Sequence, residues 1–140
     1  MFNSQASSYG PSGHLARMYH QVGVETGVAA ASPHALTLML MDGFLNAVKH
    51  ARQALSEGRI SDKGRHIGHA SRILDEGLKA PLNLAVGGEL ARNLNNLYEY
   101  MLGRLLHANL HNDDAVLQEV IRLIEPVREA WVGIGPRMPS

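Results

Sequence analysis

Eight histidines are the side chains whose type and spacing come nearest to metal chemistry. His66 and His69 lie three residues apart and His107 and His111 four apart, so each pair would share one face of a helix. A zinc site needs further ligands in a fixed geometry, and the chain has no cysteine to supply them. The Glu-x-x-His motif that carboxylate di-iron bundles need does not occur either. We therefore expect solvated histidines, no metal and no cofactor.

Motifs of known enzyme classes are also missing from the sequence. It contains no H-E-x-x-H, no G-x-S-x-G, no phosphate loop of the Walker type and no G-x-G-x-x-G. Gly87-Gly88-Glu89 could cradle an anion at a helix start. The stronger interpretation is a flexible chain reversal in which Glu89 complements the helix dipole. We predict no catalytic residues and no enzymatic activity.

The composition is that of one globular domain. The chain has 140 residues, of which 45% are hydrophobic and 19% charged. Thirteen basic residues balance thirteen acidic ones, so nucleic acid and anionic membrane surfaces are poor partners. No apolar run reaches the roughly 18 residues of a membrane span. The start of the chain also lacks the features of a secretory signal, so we expect a cytoplasmic (cytosolic) location and no membrane insertion.

Hydrophobic periodicity and helix-end signals divide the chain into helices, and no segment alternates like a strand. Ser32 followed by Pro33 is a strong helix start, because serine caps the first turn and proline suits its geometry. Gly58 and Pro81 supply helix stops. The predicted helices cover residues 33–57, 61 or 62 to 80, 88–111 and 113–132, the last with a kink at Pro126.

Short connections between four helices of this length favour an antiparallel arrangement. We therefore predict an all-α fold, an antiparallel up-down-up-down four-helix bundle with a short N-terminal helical arm. Residues 1–28 would form the flexible arm, 29–133 the bundle domain and 134–140 a frayed tail.

The apolar faces of two predicted helices are wider than a bundle core needs. A core-facing stripe spans roughly 100°, whereas the apolar arc of the helix over 88–111 spans roughly 180° and that of the helix over 33–57 is broader still. One interpretation is that these helices are more enclosed than their neighbours. The other is an exposed groove for a partner's helix, or a homodimer interface. In the second case the N-terminal arm could cover the groove with its own apolar stripe of Leu15, Tyr19 and Val22.

Three blocks of sequence resemble one family. The stretch 31–43 reads ASPHALTLMLMDG, residues 87–101 read GGELARNLNNLYEYM, and the third block runs from LQEV at 117–120 to PVREAW at 126–131. Together they are similar to the signatures of the flagellin-export chaperones, the FliS family. Met41 stands where that family usually has an aromatic residue, and His69 where it usually has lysine.

The resemblance implies a cytoplasmic chaperone that holds the disordered C-terminal segment of flagellin in an apolar groove, prevents premature polymerisation and delivers flagellin to the export gate protein FlhA. It also implies that the N-terminal segment can occupy part of that groove. The alternative is a scaffolding bundle that self-associates as a homodimer through its wide apolar faces. We expect flagellin-binding contacts at Leu36, Leu40, Met41, Ile67, Leu74, Asn93, Leu97, Tyr100, Met101 and Arg104.

Overall fold

The computed structural model describes residues 32–135, and all regular structure in that range is helical. This confirms the predicted all-α class. The expectations for Leu15, Tyr19 and Val22, for the arm over 1–28 and for the last five residues fall outside the described range. The helices are α1 (Pro33–Ser56), α2 (Ile60–Arg72), a π-helical continuation of α2 (Ile73–Lys79, called the π turn below), α3 (Leu84–His111) and α4 (Asp114–Ile134).

The four helices pack as a ring in which neighbours run antiparallel. The end of α1 meets the start of α4, where Arg52 Nε lies 2.8 Å from Asp114 Oδ1. The start of α2 meets the end of α3, where Lys63 Nζ donates to the Asn109 carbonyl at 2.9 Å. A connection of only three residues, 57–59, joins α1 to α2. The arrangement is the up-down-up-down bundle that the short connections predict.

Three of the predicted helix ends are confirmed by their caps. Ser32 Oγ accepts a hydrogen bond from the Ala35 amide at 3.2 Å, with proline in the first turn. Gly58 follows the C-cap residue Glu57 and has a φ of 74°, a left-handed conformation that stops the first helix. Asp113 caps α4 by accepting from the Val116 amide.

Other boundaries differ from the prediction. The third helix begins at Leu84 and not at residue 88, because the Asn83 side chain accepts from the Val86 amide and caps it. The expected break is present inside that helix, where Gly88 has φ 60° and ψ −139°. The second helix does not stay α-helical to its end: the Ala80 amide bonds to the Asp75 carbonyl, five residues back. The fourth helix runs to Ile134, two residues beyond its predicted end.

α1 contributes more residues to the core than any other helix. Eight of its residues are buried, and they include Phe44, the largest fully buried side chain within residues 32–135. The remaining core comes from α2, the π turn, α3 and α4, and the fully buried large side chains of these elements are Leu74, Met101, Leu105, Leu117, Val120 and Ile124.

Candidate functional site

Exposed large apolar side chains are concentrated on α3. Six of the nine in the described range belong to this helix, whereas α1 has none. A contiguous exposed apolar patch is a common sign of a docking surface. The six on α3 are Leu84, Val86, Leu90, Tyr100, Leu106 and Leu110.

The first of two apolar regions on α3 is a cleft at the end of the bundle where α1 begins. It has a volume of about 470 Å³. This falls within the size range of ligand-binding pockets, roughly 300–1,000 Å³. We call it the apical cleft. Its walls are the start of α1, the end of the π turn, the first half of α3 and one residue of α4. The lining residues include Ser32, Pro33, His34, Met41, Gly77, Leu78, Leu82, Val86, Leu90, Leu94, Tyr98 and Trp131.

A reciprocal pair of hydrogen bonds fixes one wall of the apical cleft. The His34 ring stacks on the Trp131 indole with centroids 5.6 Å apart and planes 8° from parallel. Nε2 of His34 donates to the Trp131 carbonyl at 2.7 Å, and Nε1 of Trp131 donates to the His34 carbonyl at 3.2 Å. This clamp holds the beginning of α1 against the end of α4. Because Trp131 is the only tryptophan of the chain, its fluorescence reports on the cleft.

The lining of the apical cleft contains no aspartate, glutamate, lysine or arginine. Tyr98 is buried on its inner side, and burial raises the pKa of its phenol to about 12. Met41, also buried, forms part of the floor. A surface of this kind favours apolar side chains of a partner and offers no charge to attract an ion.

The second apolar region lies on the other half of α3. Leu102 is half-buried, while Leu106 is 60% and Leu110 is 70% exposed, at i, i+4 and i+8. We call these three residues the outer leucine face. This face lies on the side of α3 that points toward the second helix and its π turn. Glu99 lies three residues before Leu102 on the same side of α3, and its carboxylate is 3.7 Å from Lys79 Nζ of the π turn.

The outer leucine face lies beside the line along which α2 and α3 meet, and the two helices are not equally close along that line. A Cβ built on Gly64 would meet the Asn109 side chain at 3.6 Å, so α2 approaches α3 closely there. A Cβ built on Gly68, one turn further, would meet nothing within 4 Å. The surface around Gly68 is therefore open, whereas α2 and α3 are in contact at Gly64.

Polar groups border α3 on its other side, toward α4. The Tyr100 hydroxyl donates to Glu119 Oε2 at 2.5 Å, and Arg104 Nε donates to Glu119 Oε1 at 2.9 Å. The two hydrogen bonds, the one from Tyr100 above all, hold the pKa of the Glu119 carboxyl below its ordinary value. The same bond to Glu119 raises the pKa of Tyr100. The cluster holds a tyrosine ring and a guanidinium at the surface beside the apolar regions.

The ten residues predicted to contact flagellin divide into two groups of five. Asn93 and Tyr100 are exposed on α3, and Leu36, Leu97 and Arg104 are half-buried. The other five are buried in the absence of a client, and Met41 among them also lines the apical cleft: Leu40, Met41, Ile67, Leu74 and Met101. A helix wheel cannot separate these groups, because it does not tell which neighbouring helix covers an apolar face.

The sequence interpretation did not single out several surface residues that the structure brings together. Trp131 and Val86 border the apical cleft, and Leu110 extends the outer leucine face. The wide apolar arc of α3 in the sequence did indicate that Leu102 and Leu106 could lie at the surface. Glu119, which organises the polar cluster, carried no signal, since its partners lie on another helix.

Two pairs of histidines lie close together within the described part of the chain. His107 and His111 bring their ring centroids within 4.5 Å, and His50 and His66 within 5.4 Å. Within residues 32–135, no three side chains of the types that bind metals gather into a site. None of the helices over the same residues is long and apolar enough to cross a membrane.

The chain is similar to known proteins over most of its length. The family described as flagellar protein FliS matches residues 15–138. The flagellar secretion chaperone FliS of Salmonella typhimurium is 46% identical over 121 residues, 86% of this chain and 90% of the relative. The flagellar secretion chaperone FliSB of Pseudomonas aeruginosa is 44% identical over 119 residues, 85% of this chain and 94% of the relative. The FliS chaperone of Bacillus subtilis is 35% identical over 107 residues, 76% of this chain and 78% of the relative.

Proposed function

This chain belongs to the FliS family of flagellar secretion chaperones, and we propose that its client is flagellin, held by its disordered C-terminal segment along α3. The observation that carries the proposal is the concentration of exposed apolar side chains on that one helix. Binding there would keep flagellin from polymerising in the cytosol and leave it ready for delivery to the export gate protein FlhA.

The length of α3 suits an extended client. After the break at Gly88, residues 89–111 form a helix of about 35 Å, with the apical cleft near its start and the outer leucine face near its end. A disordered segment loses conformational entropy when it binds, so it needs a long apolar contact to offset that cost. A client segment of about 40 residues would measure about 60 Å as a helix and could reach both regions.

The polar cluster would set the register of the client. Arg104 uses only Nε in its bond to Glu119, which leaves its outer nitrogens for acceptors on a partner. Tyr100 is half-exposed, and Asn93 is exposed two turns before it on α3. Side chains of this kind hydrogen-bond backbone groups at the ends of a docked helix.

The N-terminal arm would cover part of the same surface when no client is bound. Residues 1–31 enter the described structure at Ser32 and Pro33, which lie at the edge of the apical cleft. The apolar stripe of Leu15, Tyr19 and Val22 gives the arm side chains that suit such a cleft. Deletion of residues 1–28 should therefore tighten client binding, as measured by titration of the same segment into both proteins.

The proposal is tested by titrating the C-terminal segment of the cognate flagellin, about 40 residues, into this protein. Calorimetry should give saturable binding near one-to-one with a negative heat-capacity change, and circular dichroism should record a gain of helix. Tyr100→Ala and Leu97→Asp should each weaken the binding. A folded protein that ignores the segment and self-associates through α3 instead would contradict the proposal and favour the scaffolding alternative.

A further inference from the structure

The last seven residues of the second helix do not wind as an α-helix. Between Ile73 and Lys79 the backbone forms a π turn, in which the amide of Ala80 bonds to the carbonyl of Asp75 at 2.9 Å. Such turns are rare, and in many proteins they occur at functional sites. Neither the helix-end signals nor the apolar periodicity of this segment requires one.

The π turn packs four of its residues inward. Ile73, Leu74, Gly77 and Leu78 are all buried. An α-helix would spread these positions over about 140°, at about 100° per residue. A π-helix rotates less per residue and gathers them onto a narrower arc. The backbone also comes close to α1, because a Cβ at Gly77 would lie 3.2 Å from a methyl carbon of Leu40.

The same turn forms a wall of the apical cleft. Gly77 and Leu78 line the cleft from within the turn, and Leu82 lines it from the connection that follows. The connection leads directly to Asn83, the cap of α3. The extra residue of the turn therefore affects both the position of this wall and the place where α3 begins.

We propose that the additional residue of the π turn sets the width of the apical cleft and is needed for client binding rather than for stability. The inference rests on the proposed function, since the occupant of the cleft is the flagellin segment. Removing one residue from an i→i+5 turn lets the flanking residues keep their i→i+4 register. The bundle would therefore tolerate the loss, but the wall of the cleft would withdraw or close.

Deletion of Asp75 tests this, because that residue is exposed and its carbonyl accepts the i→i+5 bond. Two matched variants accompany it. Asp75→Ala keeps the length of the chain and removes only the contact with Lys79, which is 3.9 Å long. Arg65 is also exposed, and its deletion removes a residue from the α-helical part of α2. The deletion rotates the residues from 66 to the end of the π turn relative to the core.

The expected results separate stability from binding. The Asp75 deletion should melt at or above the temperature of the full-length protein, whereas the Arg65 deletion should melt far below it. The Asp75 deletion should bind the flagellin segment about tenfold more weakly or worse, with Asp75→Ala close to the full-length protein. The fluorescence change of Trp131 on binding should shrink in the same order.

Three results would overturn the inference. If the Asp75 deletion loses as much stability as the Arg65 deletion, the turn holds no removable residue. If the Asp75 deletion is stable and binds the segment as tightly as the full-length protein, the π turn has no part in binding, although the proposed function stands. If the full-length protein itself does not bind the segment, the proposed function fails and the inference falls with it.

Discussion

The first and third helices share a wide apolar arc in sequence but differ in how much of it the fold covers. Both have apolar arcs wider than one core-facing stripe. In α1 most of the surplus is buried: Met41, Leu45 and Val48 pack into the core, and Leu38 is half-buried against it. In α3 the surplus stays at the surface, as the apical cleft at one end and the outer leucine face at the other.

The difference comes from the neighbours of each helix. α1 packs along most of its length against α2 on one side and α4 on the other, with the π turn against it as well. α3 packs on α4 and the π turn, and much less on α2. A wide apolar arc therefore indicates a docking surface only where the ring of helices leaves it uncovered.

The largest expected effect contrasts the same substitution on the two helices. Leu40→Ala empties a fully buried site on α1 and should lower the free energy of unfolding by about 3 kcal/mol. Leu106→Ala on α3 removes a side chain that is 60% exposed and should change it by less than about 0.5 kcal/mol. Urea unfolding measures both values, and similar losses in the two variants would erase the distinction between the helices.

The next effect concerns binding. Leu106→Asp combined with Leu110→Asp places two carboxylates on the outer leucine face and should weaken binding of the flagellin segment more than tenfold, about 1.4 kcal/mol or more. The melting temperature should change little, because both positions are exposed. The control is Arg65→Asp on the outer side of α2, which adds the same type of charge. Equal loss of binding in the control would mean that charge alone weakens the complex.

A smaller effect separates the two halves of α3. Gly88 has a positive φ, so Gly88→Ala should destabilise the protein by about 1 kcal/mol and disturb the segment beside the apical cleft. Gly103 lies in the regular part of the helix, and a Cβ there would meet nothing within 4 Å. Gly103→Ala should therefore stabilise the protein by about 0.5–1 kcal/mol. Thermal unfolding that moves in the same direction for both would contradict the break at Gly88.

The smallest effect concerns the ion pair between Arg52 and Asp114, which joins α1 to α4. The hydrogen bond from Arg52 lowers the pKa of Asp114, so this pair stabilises the fold above the ordinary carboxyl pKa and loses that effect as the pH falls through the lowered value. Both side chains are more than a third exposed, and Asp114→Asn should therefore cost only about 0.5 kcal/mol at pH 7. The difference from the unmodified protein should shrink as the pH falls through the lowered pKa of Asp114 and vanish in acid below it. A difference that persists there would contradict an ionic origin.

Much of the fold could be predicted because its signals are local. The cap at Ser32 and the stop at Gly58 depend on neighbours in sequence, and the structure confirms both. The three motif blocks predicted the family, which the match over residues 15–138 confirms. That family consists of secretion chaperones, in agreement with the predicted lack of enzymatic activity.

What the sequence could not predict depends on contacts between helices. The burial of Leu40 and Met101 follows from which helices cover them, and the pairing of Tyr100 with Glu119 joins two helices. The π turn could not be predicted either, because its buried residues fit the apolar spacing of an α-helix almost as well as that of a π-helix. The assignment of client contacts on α3 stays a prediction.

The most direct test of the central claim is a methyl NMR spectrum of the leucines with and without the flagellin segment. The account predicts that the methyl signals of Leu102, Leu106 and Leu110 on α3 shift or broaden on binding. The signals of Leu40 and Leu45 in the core of α1 should stay in place. Binding that moves the α1 signals and leaves the outer leucine face unchanged would contradict α3 as the docking surface.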